Sequence, residues 1–212
     1  MGTLKTRCVI IGGGECSADI LKKNIDTDSD YIICADSGYD YAISAGFTPE
    51  LLIGDFDSIE AVPENLEKIT LPVEKDVTDT VAAFNEGLKR GFTSFVLFGG
   101  TGGRFEHTFA NISLMANSSK QNIEFVIIDE THIFRAITNS TIKIKRRENQ
   151  QVSVFSYGDK ATGVTEKGFH YSLQNYTLDP FDGALGTSND IIEDFGEILV
   201  DEGTLIIIET KM

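Results

Sequence analysis

The chain is expected to fold as a largely parallel, Rossmann-like α/β domain over residues 1–138, followed by an antiparallel β-sandwich over residues 139–212. In the first part RCVIIGGG, YIICADSG, LLIGDFDS, TSFVLFGG and IEFVIIDE climb through branched apolar residues and end in glycine or acid. Strands buried on both faces of a parallel sheet have this composition, with functional groups at their carboxyl ends. Helical stretches at about 15–24, 37–46, 78–90 and 105–117 alternate with them. Beyond about residue 140 the texture changes to TIKIKR, QVSVFSY, GVTEKG, YSLQNYTL, GALGTSND, EILV and TLIIIE. These short runs are broken by turn residues and carry no helical period, which points to antiparallel pairing.

Along the first part, Gly12, Gly13 and Gly14 follow the first strand, either close to a nucleotide or as a plain βα turn. IDTDSD offers Asp26, Asp28 and Asp30 at calcium-loop spacing, but Tyr31 stands where such a loop needs glycine and Ser37 where it needs glutamate. It reads as a solvated loop. The second strand ends at Asp36, and the third runs through Gly54 into Asp55 and Asp57. Residues i and i+2 of an extended segment project to one side, so these two carboxylates can converge. Either a cation lies between them or one is held protonated. Thr78 can cap the next helix, whose apolar stripe is Val81, Phe84 and Leu88, and Lys89, Arg90 and Gly91 close it.

Charge narrows the partners. With 18 basic and 33 acidic residues among 212 the net charge is −15, which disfavours nucleic-acid backbones and anionic membranes. A cationic small molecule would be attracted, and a nucleotide would need a local cradle or a divalent metal. The cysteines, Cys8, Cys16 and Cys34, lack zinc-site spacing and read as small apolar residues in a reducing compartment. No run is long enough for a signal-peptide core or a membrane span, so a cytoplasmic protein is expected.

Two constellations carry chemistry. Asp36, Asp55, Asp57, Asp76 and Asp79 fall along one edge of a parallel sheet, where α/β proteins bind ligands. Oxygen donors of this kind suit Mg²⁺ shared with phosphate oxygens, although aspartate also ends strands simply as a turn or cap residue. FGGTGGRFEHTF, starting at Phe98, then places four glycines in five positions after a strand and before a helix. Such a turn lets backbone N–H groups and the helix terminus face an anion, and Arg104 adds a bidentate donor for phosphate oxygens. It is neither a Walker A loop nor a dinucleotide fingerprint. His107 is a structural residue or a catalyst, and Glu106 caps the helix or serves a metal. In the second part Tyr171 and Tyr176 offer aromatic faces, and Ser188 and Asn189 offer hydroxyl and amide groups.

Taken in order, ADSG at 35–38, GDFDSI at 54–59, KDVTD at 75–79, GGTGGRFEHTFANI at 99–112 and GTSN at 186–189 resemble the thiamine pyrophosphokinase family. The resemblance implies an N-terminal α/β domain, a C-terminal β-sandwich and a homodimer with sites between subunits. It implies conversion of thiamine and MgATP to thiamine diphosphate and AMP. On this chain it assigns Asp36, Asp55, Asp57 and Asp79 to Mg²⁺ and the triphosphate, and Lys75, Thr78 and Arg104 to the phosphate oxygens. Gly100, Gly102, Gly103 and His107 join them as ATP contacts. Asp55, Asp57, Asp79 and Arg104 form the expected catalytic set, with Asp57 or Asp79 as the acceptor of the hydroxyl proton. Tyr171 falls where the family sets an aromatic ring against thiamine, and Ser188 and Asn189 where it holds the pyrimidine. Glu106 replaces the aspartate of the family's GGRxDH motif, and ADSGYDY replaces ADGGAN.

Overall fold

The computed structural model describes residues 4–56, 65–72, 76–181 and 186–211, so Asp57 and Lys75 lie outside the described residues. The chain divides into two compact units, one of residues 1–114 and 127–130 and the other of residues 115–126 and 131–212.

The first unit is a parallel sheet flanked by helices. Its elements are β1 (Arg7–Ile11), α1 (Ala18–Asn24), β2 (Asp30–Ala35), α2 (Gly38–Ser44), β3 (Leu51–Gly54), β4 (Glu67–Thr70), α3 (Asp79–Lys89) and β5 (Ser94–Phe98). Helix α4 (Phe105–Ser119) and strand β6 (Glu124–Ile128) begin or end in it. The strand order is β5-β1-β2-β3-β4, with every pairing parallel. Cys8–Ile11, Ile32–Cys34, Leu51–Ile53 and Phe95–Phe98 are almost wholly buried, which is why these strands carry no polar alternation. β4 is a sequence-level omission: EKIT is a short edge strand with three exposed residues and no apolar run to betray it.

Local signals act as expected where they are strong. The Thr78 hydroxyl accepts from the Val81 N–H at 3.3 Å and caps α3. At the other end Gly91, at φ +91°, lets its own N–H reach the Leu88 carbonyl and the Phe92 N–H reach that of Gly87. α3 buries Ala83, Phe84 and Gly87, with Phe84 packed on Phe95 at 4.8 Å between ring centroids. The acid-rich loop is solvated as expected at Asp26, Thr27 and Asp28 and departs from that reading at Asp30, the first residue of β2. Asp30 is fully buried and accepts from Arg7 Nε at 2.7 Å and from the Asp26 N–H at 2.8 Å. The spacing that mimics a calcium loop thus serves an internal ion pair and a turn.

The second unit contains β7 (His132–Thr138), β8 (Thr141–Lys145), β9 (Gln151–Ser156), β10 (Ala161–Lys167), β11 (Leu173–Leu178), β12 (Asn189–Asp190), β13 (Phe195–Leu199) and β14 (Thr204–Thr210). β12-β9-β14-β7 and β11-β10-β13-β8 run in order, antiparallel at each junction. Val152, Val154, Leu205 and Ile207 from the first set share a core with Ile144, Ala161, Val164, Leu178 and Ile198 from the second, which makes a sandwich. Glu209, buried on β14, binds Arg135 Nε at 2.8 Å, Gln150 Nε2 at 2.9 Å and the Arg147 guanidinium.

Candidate active site

Strands β1 to β4 extend the first sheet in one direction, and β5 returns to the opposite side of β1. A reversal of this kind opens a crevice beyond the carboxyl ends of the two strands that part there. The turns after them, Gly12–Gly14 and Gly99–Gly103, meet at that point. Gly12 N–H donates to the Phe98 carbonyl at 2.8 Å, Gly14 N–H to Gly99 at 2.9 Å and Glu15 N–H to Thr101 at 3.2 Å. At Gly12, Gly14 and Gly99 the fit leaves no room for a side chain; a Cβ on Gly14 would lie 2.5 Å from the Thr101 oxygen.

A cavity of about 610 Å³ occupies this crevice. Gly13, Gly14 and Gly99–Gly103 form one wall, Asp36 and Ser37 stand at the tip of β2, and Thr78 and Asp79 begin α3. Arg104 and His107 begin α4, so two helix N-termini meet at the cavity and favour an anion there. The Arg104 guanidinium touches the His107 ring and lies 3.5 Å from Glu106, so Glu106 serves as an exposed ion partner. Asp36 holds φ +49° and its N–H donates to the Ile53 carbonyl at 2.8 Å. A Cβ on Gly54 would sit 3.3 Å from the Asp36 Cα, so glycine at the β3 tip eases the close approach of Asp36.

The structure therefore brings Asp36, Thr78, Asp79, Gly100, Gly102, Gly103, Arg104 and His107 to one cavity, together with Asp76. Asp55 is half-buried beside Phe56, which holds φ +62°, and among the described residues it is not part of that lining. Three carboxylates against one guanidinium would repel a bare polyphosphate, while an anion accompanied by a hard cation would be accepted. The donors fit Mg²⁺, which takes one or two carboxylates and completes its shell with water and phosphate. Among the described residues no three His, Cys, Asp or Glu side chains are grouped so as to hold a metal ion by themselves.

Sequence reasoning missed the supports of the glycine turn. Buried Asn111 donates to the Gly100 carbonyl at 2.8 Å, and Thr101 Oγ1 donates to Asp129 Oδ2 at 2.9 Å. Asp129 follows β6 in IIDE, an acid at a strand tip like the others, which was the available signal. The three cysteines are inert, with burial pushing the Cys8 thiol up to about 12 and the Cys16 thiol up to about 11.

In the second unit Tyr171 is 69% exposed, with His170 edge-on at 4.6 Å between centroids. Asn189 is buried, and its amide faces the Tyr171 backbone. Oδ1 accepts from the Tyr171 N–H at 3.0 Å and Nδ2 donates to the Tyr171 carbonyl at 2.7 Å. Exposed Ser188 holds φ +57° and donates its N–H to Ser153 Oγ at 3.0 Å. Gly186 has a packing reason, since a Cβ there would meet the Val154 carbonyl at 1.9 Å.

Comparison with known proteins places both units in one family. Residues 23–127 match the thiamin pyrophosphokinase catalytic domain, and residues 139–205 match the thiamin pyrophosphokinase vitamin B1 binding domain. The thiamine pyrophosphokinase of Bacillus subtilis (strain 168) is 29% identical over 214 residues, covering 98% of this chain and 99% of its own. A crystal structure of thiamine pyrophosphokinase from Bacillus subtilis superposes with a TM-score of 0.89 at 26% identity, over 98% of this chain and 100% of that one. That from Geobacillus thermodenitrificans gives 0.84 at 25% identity over 98% of each chain. The family models and the curated relative together define the class as a kinase-type transferase. The chain belongs to the thiamine pyrophosphokinase family of enzymes.

Proposed function

We propose that this enzyme binds MgATP in the crevice between β1 and β5 and thiamine at Tyr171, Ser188 and Asn189, and forms thiamine diphosphate and AMP. Residues 1–138 supply the donor half and residues 139–212 the acceptor half. The observation that carries the reading is the cavity where two glycine turns, two helix N-termini, Arg104 and aspartates converge.

In the reaction the thiamine hydroxyl oxygen forms a bond to the β-phosphorus. The bond from that phosphorus to the oxygen it shares with the α-phosphorus breaks, and AMP leaves with the electron pair. The glycine-turn amides and Arg104 orient the polyphosphate, with Lys75 and Thr78 as further donors, and His107 supports the guanidinium. Asp36, Asp55, Asp57 and Asp79 would hold Mg²⁺, which when bound neutralises charge on the phosphoryl oxygens. The hydroxyl proton passes to Asp57 or Asp79. Tyr171 gives a ring face to the cationic thiazolium, and the net charge of −15 favours that cation over anionic acceptors.

We further assign a homodimer in the cytoplasm. Phe105 and Phe109, 77% and 56% exposed one turn apart on α4, offer apolar surface to a second copy. Among the described residues no helix is long and apolar enough to cross a membrane.

Incubation with MgATP and thiamine is expected to yield AMP and thiamine diphosphate one for one. Binding of both without AMP would make the protein a sensor. A much higher kcat/KM with another alcohol would change the acceptor.

A further inference from the structure

Two bulges in the sandwich put a carboxylate where a surface residue should be. Between the pairs Ala161–Leu178 and Val164–Tyr176, β10 spends one residue more than β11, at Gly163 with φ +68°. Between Val164–Tyr176 and Glu166–Leu173 the excess lies on β11, where Asn175 holds φ +48°. Unbroken alternation from Ala161 would turn Gly163 and Thr165 inward and Glu166 outward. The bulge at Gly163 reverses the order, so Val164 and Glu166 face the core and Glu166 is only 3% exposed. Its neighbours across the sheet, Leu173 and Ile198, are apolar.

The polar partner given to that carboxylate is Asn189, whose Nδ2 donates to Glu166 Oε2 at 3.1 Å. The same nitrogen donates to the Tyr171 carbonyl, and the Asn189 oxygen accepts from the Tyr171 N–H. An asparagine amide can face either way, and its grip on Tyr171 works one way only. An ionised carboxylate accepts and cannot donate, so Glu166 fixes Nδ2 on its own side and with it the orientation of the clamp. The clamp sits among main-chain bonds of the same segment: His170 N–H donates to Asp190 at 2.9 Å and Ile192 N–H to Gly168 at 2.9 Å.

We propose that Glu166 is the positioning residue of the acceptor site, acting through Asn189 to hold the Tyr171 backbone and so its exposed ring in place for thiamine. This rests on the assignment of thiamine to Tyr171 and Asn189 made above. Burial pushes the Glu166 carboxyl up to about 7 while the Asn189 amide pulls it down, and in either protonation state a carboxyl oxygen remains to accept from Nδ2.

The test uses the full chain and steady-state kinetics with both substrates. Glu166→Met keeps the volume and removes the acceptor; thiamine KM is expected to rise about five- to tenfold, the equivalent of one hydrogen bond, with ATP KM and kcat within about twofold. Glu166→Gln, which can present its amide oxygen to Nδ2, is expected to bring thiamine KM back near the wild-type value. An unchanged thiamine KM in Glu166→Met, or a parallel loss in both KM values and kcat, overturns the proposal. Should the methionine variant not fold, Glu166→Asp withdraws the carboxylate by one methylene; a selective rise in thiamine KM supports the role and none overturns it. Tyr171→Ala separates the two levels. If it leaves thiamine KM unchanged, the acceptor assignment itself fails; if it raises KM while Glu166 variants do not, only the positioning role fails.

Discussion

Replacing Glu166 by glutamine should stabilise the protein in alkali and leave it unchanged in acid. The carboxyl ordinarily titrates at 4.5 and in the fold at about 7, because burial disfavours the charged form. A group that holds its proton more tightly when folded takes up protons on folding between those values. Stability therefore falls as pH rises from 4.5 to about 7, and the cost is complete above that window. At roughly 1.4 kcal/mol per pH unit the interval amounts to about 3 kcal/mol. For a chain of this size that is about 6 to 12 °C in thermal midpoint. Glutamine carries no charge and escapes the cost. Midpoints of wild type and variant, followed by circular dichroism from pH 5 to pH 9, should differ by that amount at pH 8 and by less than about 1 kcal/mol at pH 5. A variant no more stable at pH 8, or more stable by the same margin throughout, would show that an ionised buried carboxylate is not what the wild type carries.

Other expectations concern the crevice and the core. Arg104→Ala should raise ATP KM about tenfold or more and leave thiamine KM within about twofold, as a phosphate contact would; equal losses count against that role. Asp79→Asn should remove most turnover while far-ultraviolet circular dichroism is retained, and unchanged kcat would exclude Asp79 from metal and proton chemistry. Gly14→Ala should raise ATP KM more than thiamine KM, because its Cβ meets the Thr101 oxygen at 2.5 Å and pushes the two glycine turns apart. Glu209→Ala leaves Arg135, Arg147 and Gln150 without their shared partner and should cost about 3 kcal/mol. A fall in midpoint under about 3 °C would show that the network contributes little.

Legibility followed the range over which each signal acts. Buried parallel strands announce themselves because both faces are apolar, as in VII of β1 and LLI of β3, and the Thr78 cap and the Gly91 stop are read from neighbours in sequence. β4 was illegible because an exposed edge strand needs no apolar residue. Glu166 was illegible for a different reason: its inward turn depends on Gly163 and on the register of β11, neither of which a local pattern encodes. Asn189 could be recognised in GTSN as a polar residue, yet that its amide grips Tyr171 required the fold to bring together positions 18 residues apart. Asp30 misled in the opposite direction, since three aspartates at alternate positions look solvated until Arg7 arrives from another strand.

The turns after β1 and β5 are joined by main-chain bonds, from the Gly12, Gly14 and Glu15 N–H groups to carbonyls of the other turn, and every amino acid except proline carries such a donor. What that junction demands is an absence, of a methyl group at Gly12, Gly14 or Gly99. A junction drawn in peptide bonds can keep its shape while most letters around it change, in line with a relative that shares 29% of its residues along the whole length.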